Sequence, residues 1–132
     1  MAATIERYCA DGVFDPAAYT QAVKATGAQT ILFLSGQVAY DKDGNPAHRG
    51  DFKGQAREVF RALKALVEAQ GGTLQRNVVK LNTYLTDVRY RPDLAVVRQE
   101  FFGAKAPAST LIQVAALAHP DYLIEIEAIA VI

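Results

Sequence analysis

The chain has 132 residues, 51% of them apolar, with 14 basic and 14 acidic side chains and one cysteine. That is the usual size of one domain with a substantial core. A net charge of zero excludes a strong sequence-independent pull toward nucleic acid or an anionic membrane, and one cysteine excludes an internal disulfide.

The N-terminal MAATIERYCA carries Glu6 and Arg7 where a signal peptide would need an apolar run. No apolar stretch reaches the ~18 to 20 residues of a membrane span. The expectation is one soluble, cytoplasmic domain over residues 1–132, with no nucleic-acid or membrane partner.

In chain order, TIERYC (4–9) reads as a weak strand. Residues 16–25, PAAYTQAVKA, fit a helix or an extended segment: alanine favours the first, Tyr19 and Val23 permit the second. TILFLSGQVAY (30–40) is rich in β-branched and aromatic residues, and the Asp43-Gly44 pair after it signals a turn. Asp51 is a plausible N-cap. Phe52, Ala56, Val59, Phe60, Leu63 and Val67 then recur at helical spacing until Gly71-Gly72. VVKLNTYLTD (78–87) is a strand, and a second helix begins near Pro92 with Leu94, Val97, Phe101 and Phe102 on its apolar side, closing at Gly103. STLIQVA (109–115) and YLIEIEAIAVI (122–132) complete the order β-β-α-β-α-β-β. This is an α+β chain with one sheet and two helices on one of its faces.

The last strand conflicts with a sheet that has one wet face. Ile124, Ile126, Ala128 and Ala130 alternate with Glu125, Glu127, Ile129 and Val131, so both faces are partly apolar. The second face is expected to lie against another copy of the chain in a closed homo-oligomer.

Glu125 and Glu127 project from that second face, and a carboxylate there needs a partner, solvent or a task. Glu127 reads best as an intersubunit salt bridge or a rim residue. Glu125 reads as a carboxylate that orients water or passes a proton. In the strand 109–115, Thr110, Ile112 and Val114 form the more apolar set and are expected under the helices. Ser109, Leu111 and Gln113 would then share the side of Glu125; Ser109 could equally be a hydroxyl satisfied by backbone. His48 and His119 read as surface loop residues, and the chain has no cluster with metal-ligand spacing. DKDGNP imitates a calcium loop through Asp41, Asp43 and Asn45. It fails at Pro46 and Phe52, where glycine and a bidentate glutamate are needed.

FLSGQVAYDKDGNP, QAREVFRALKALVEAQGG, VVKLNTYLTDV, EFFGAKAPAST and the terminal IEIEAIAV together resemble the Rid (reactive intermediate deaminase) or YjgF family over essentially the whole chain. The resemblance implies a chorismate-mutase-like fold and a homotrimer, with a central barrel-like core, helices outside and ligand clefts between subunits. It implies hydrolysis of a reactive enamine or imine to a carbonyl product and ammonia, with no metal or organic cofactor. Residue by residue, Tyr19 resembles the tyrosine at the cleft mouth, Gly36 the glycine whose backbone lines the cleft, and Glu125 the glutamate that positions water.

The departure is Ser109. Deaminating members carry an arginine directly after Pro-Ala that clamps the substrate carboxylate; this chain has Pro107-Ala108-Ser109. Leu111 stands in place of a cysteine, and an asparagine is missing near Ala95. Loss of a charge-assisted clamp is worth roughly 1.5 to 3 kcal/mol. Three readings follow. The cleft takes a neutral or differently shaped imine held by Ser109 or Thr110; another arginine, such as Arg98, supplies the anion site; or the protein is a non-catalytic metabolite-binding or chaperone-like trimer.

Overall fold

Local chemistry sets both long helices. In the computed structural model, which describes residues 2–132, Asp51 caps α1 (Phe52–Glu68) by accepting the Gly54 N–H at 3.0 Å. The helix ends where Gly71 takes φ +85°, a conformation that side chains with a Cβ avoid. Helix α3 (Arg91–Phe102) starts with a proline in its first turn and stops at Gly103, φ +74°. Its buried aromatic is Phe102, with Phe101 half-buried; both rings pack on Phe60 of α1. A short helix α2 (Leu74–Asn77), capped by Thr73, joins α1 to the next strand and is too brief to show helical periodicity in the sequence.

The strands are β1 (Thr4–Tyr8), β2 (Tyr19–Thr20), β3 (Ala22–Thr26), β4 (Ile31–Gln37), β5 (Val78–Leu85), β6 (Ala106–Gln113) and β7 (Ile124–Val131). Five form the main sheet in the order β2-β6-β5-β7-β4. β5 and β6 run parallel, joined through α3, and β7 lies antiparallel to both β5 and β4. The segment 16–25 is therefore extended. β3 pairs with β1 in a separate two-stranded ribbon, so TIERYC forms a strand outside the main sheet. Arg7 pins this ribbon by donating to the Gln75 carbonyl at 2.7 Å.

One face of the sheet packs on the helices. Leu81 and Leu85 of β5 with Ile124, Ile126, Ala128 and Ala130 of β7 join Val59, Phe60 and Leu63 of α1 and Leu94 and Val97 of α3 in one core. The other face is not wet in composition. Phe33 is 77% exposed, Ile31 55% and Ile112 47%, beside the half-buried Ile129. That patch matches the two-sided apolar pattern of the strands.

The faces of β6 are the reverse of the sequence expectation. Its parallel register places Ser109 beside Leu81 and Leu111 beside Thr83, both on the helix side. Thr110 and Ile112 sit beside Asn82 and Tyr84 on the outer face. Apolarity could not decide the matter, because the outer face is apolar too.

Gln55 is buried and joins α1 to the turn that leads into β7. Its amide donates to the Asp121 carbonyl at 2.7 Å, and its Oε1 accepts the Leu123 N–H at 2.9 Å. Gln55→Leu keeps most of the volume but strands these backbone groups. It should lower the unfolding free energy by about 2 to 3 kcal/mol in urea denaturation at fixed protein concentration; a loss under about 0.5 kcal/mol would show that the network is not needed.

Candidate functional site

The expected site residues fall into two groups on opposite faces of the sheet. Tyr19, Ser109 and Leu111 line a cleft of about 880 Å³ between β2, β6, α3 and the turn before α3. Main-chain pairing sets Tyr19: the Ala106 N–H donates to the Ala18 carbonyl at 2.9 Å, and the buried Thr20 hydroxyl donates to the Ala106 carbonyl at 2.9 Å. α3 contributes Arg91, Ala95 and Arg98 to the same cleft, four and then three residues apart and so on one helix face. Ala95 and Ser109 are small, which leaves the space open.

Arg89 also borders the cleft, but its guanidinium is committed. It donates to both carboxylate oxygens of Asp87 at 2.6 to 3.0 Å. These bonds hold the Asp87 carboxyl down at about 2. A depressed carboxyl pKa keeps this pair intact above the ordinary carboxylate range and loosens it only as pH falls toward 2. Arg98 is half-buried. Desolvation lowers its pKa, and the neighbouring Arg91 charge adds to the effect.

The second group is Gly36 and Glu125. The ladder between β4 and β7 shifts register between Leu34 and Gln37, and this irregularity lays Gly36 against the Glu125 side chain. A Cβ on Gly36 would overlap the Glu125 carboxylate, so the glycine is what lets that side chain lie against β4. Glu125 is half-buried, and among the described residues its carboxylate has no hydrogen-bond or ion-pair partner.

Glu127 differs. Its Oε1 accepts from the Tyr84 hydroxyl at 2.6 Å and from the Asn82 amide at 3.2 Å, so it is satisfied within its own subunit and needs no intersubunit salt bridge. The Glu127 hydrogen bond, with burial, raises the Tyr84 pKa and keeps that hydroxyl donating. The partners come from the β5–β7 register, Asn82 beside Glu127 and Tyr84 beside Glu125. Neither was identifiable from the sequence, where Asn82 and Tyr84 are two polar positions in an alternating strand.

Ser109 and Glu125 therefore do not share a side, as the sequence reading expected. The sheet separates them within one chain. They could meet only where the outer face of one copy meets the cleft of another. His48 and His119 lie at the surface away from both groups, with His48 near Glu58 and His119 accepting the Asp121 N–H.

Comparison with known proteins places this geometry among relatives. The family model described as Endoribonuclease L-PSP matches residues 14–132. A RutC family protein of Pyrococcus horikoshii is 39% identical over 112 residues, 85% of each chain. A Yersinia pestis structure described as YyfB, a protein of unknown function of the conserved Rid protein family, superposes with TM-score 0.85 at 28% identity, covering 97% of this chain and 98% of that one. RidA from the Antarctic bacterium Psychrobacter sp. gives TM-score 0.70 at 37% identity, covering 94% and 92%.

Gly36→Ala should drive the Glu125 carboxylate out of its place against β4 while leaving the fold intact. A crystal structure of the variant checks this; an unmoved Glu125 would show that the strand yields instead.

Proposed function

The chain is a member of the Rid/YjgF family, and on that premise we propose that it hydrolyses a reactive enamine or imine to a carbonyl product and ammonia. The reaction takes place in a cleft between two copies of the chain, with substrate recognition that differs from the family's arginine clamp. The observation that carries the reading is Glu125: a half-buried carboxylate with no partner among the described residues, set against a glycine that leaves it room. The exposed apolar patch around Phe33 and Ile112 supports association through the outer face. A closed trimer, the arrangement the family resemblance implies, is the one proposed; in it Glu125 and Gly36 of one copy would sit at the mouth of the neighbour's cleft.

The chemistry needs a positioned base and a dry, shaped pocket. The enamine first tautomerises to the imine. Glu125 holds a water and accepts its proton as the oxygen bonds to the imine carbon. That proton is passed to nitrogen, giving a carbinolamine. Glu125 then takes the proton of the new hydroxyl and a proton is delivered to the amine nitrogen, so that the carbon–nitrogen bond breaks and ammonia leaves as the carbonyl forms. One water is consumed and no electrons are exchanged. Tyr19 borders the pocket, and the Gly36 backbone lies beside the carboxylate.

A second reading rests on Ser109. With serine where deaminating members carry arginine, the trimer would bind a metabolite without turning it over, or act as a chaperone-like assembly.

Ammonia release from a panel of freshly generated imines separates the two. Glu125→Gln should lower kcat/KM by about 10²- to 10⁴-fold, the usual range for loss of a general base, with little change in thermal stability. Binding without release from any imine would favour the second reading. A fully active Glu125→Gln would remove Glu125 from the chemistry.

Co-refolding Glu125→Gln with a variant whose cleft is blocked, Ser109→Trp, tests the shared cleft. Neither variant alone should be active. Equal mixing should recover about a quarter of wild-type activity, the share of complete sites in randomly assembled three-membered rings. No recovery from properly mixed rings would place the whole site within one copy.

A further inference from the structure

The cleft is lined by two cations that no anion among the described residues answers. Among the described residues, neither Arg91 nor Arg98 has an ion pair or a side-chain hydrogen bond. Arg98 is the more telling, because it is half-buried and a partly desolvated guanidinium without an anion is costly. Both project from one face of α3 toward Ser109 and Leu111 across the cleft, with Ala95 between them. The third arginine, Arg89, is occupied by Asp87. Acidic side chains are missing from the cleft walls, whose lining includes Tyr19, Ala18 and Pro92 besides the arginines.

We propose that Arg98, assisted by Arg91, is the anion-binding residue of this cleft, so that the substrate carries a carboxylate and the clamp reaches it from the helix wall rather than from β6. The planar guanidinium offers two parallel N–H donors to such a group. Ser109 and Ala95, being small, leave the carboxylate room to lie between strand and helix. The proposal rests on the imine-hydrolase reading for its choice of substrate class: imines of 2-oxo acids rather than neutral imines. A bound carboxylate would also supply the countercharge that desolvation and Arg91 leave wanting at Arg98.

The test is a chemical-shift titration of the assembled protein with pyruvate and with its uncharged methyl ester. Wild type should bind pyruvate at least about tenfold more tightly than the ester, the scale of one charge-assisted bidentate contact. Arg98→Gln should erase that preference, Arg91→Gln should reduce it by less, and Glu125→Gln should keep it. Adding Ser109→Arg to Arg98→Gln should restore it from the opposite wall. Arg98→Lys, which keeps the charge and most of the stem, serves should the glutamine variant misfold; it should bind pyruvate several-fold more weakly than wild type. Wild type without a preference, or either Arg98 variant binding pyruvate as wild type does, overturns the clamp. The two proposals fail separately. Neutral imines hydrolysed with dependence on Glu125 but not on Arg98 leave the hydrolase and remove the clamp. A carboxylate preference that Arg98→Gln erases, with no imine turned over, leaves the clamp and removes the hydrolase.

Discussion

Side chains alternate across a strand, and this single constraint governs where chemistry can occur in the molecule. Ser109 and Leu111 on β6 point to the helices, as do Ile124 and Ile126 on β7. Glu125, one step along β7, must point the other way. The cleft and the carboxylate are therefore separated by the sheet itself, and no side-chain rotation brings them together. A function that uses both needs two copies, and the exposed Phe33, Ile31 and Ile112 are the surface on which copies would meet.

The outer face sorts its two carboxylates by neighbours rather than by position. Glu127 is held by Tyr84 and Asn82 across the β5–β7 ladder, which answers the cost of burying it. Glu125 stands beside Gly36, where the β4–β7 register shifts, and the missing Cβ leaves it room but no donor. Two glutamates of the same sequence motif thus become a structural acceptor and a carboxylate with no partner among the described residues. The inner cleft shows the same division among cations: Asp87 fixes Arg89, and among the described residues Arg98 has no ion-pair partner. Gln55 ties α1 to the turn before β7, the strand that carries both glutamates.

Much was legible in one dimension. The Asp51 cap, the helical spacing from Phe52 to Val67, the proline and glycine limits of α3, and the two-sided apolar pattern of β7 are local or periodic signals, and the chain realises each of them. The motifs from FLSGQ to IEIEAIAV carried the family, and Glu125 stood out as a carboxylate on an apolar face. Tyr19 lay in a stretch where alanine and β-formers balance, and only pairing with Ala106 on a strand 87 residues away decided for extension.

By itself, then, the sequence determined the α+β class, the element order and the odd presence of charge on an apolar strand face, because these depend on neighbours a few residues apart. The tertiary structure alone decided which side of the sheet Ser109 faces, which partners hold Glu127, and that Arg91 and Arg98 share a cleft with Tyr19. Those facts depend on strand register and on helix placement over β6. With both faces of the sheet apolar, hydrophobic pattern carries no information about which is which, and only the hydrogen-bonded pairing of β6 to β5 resolves it.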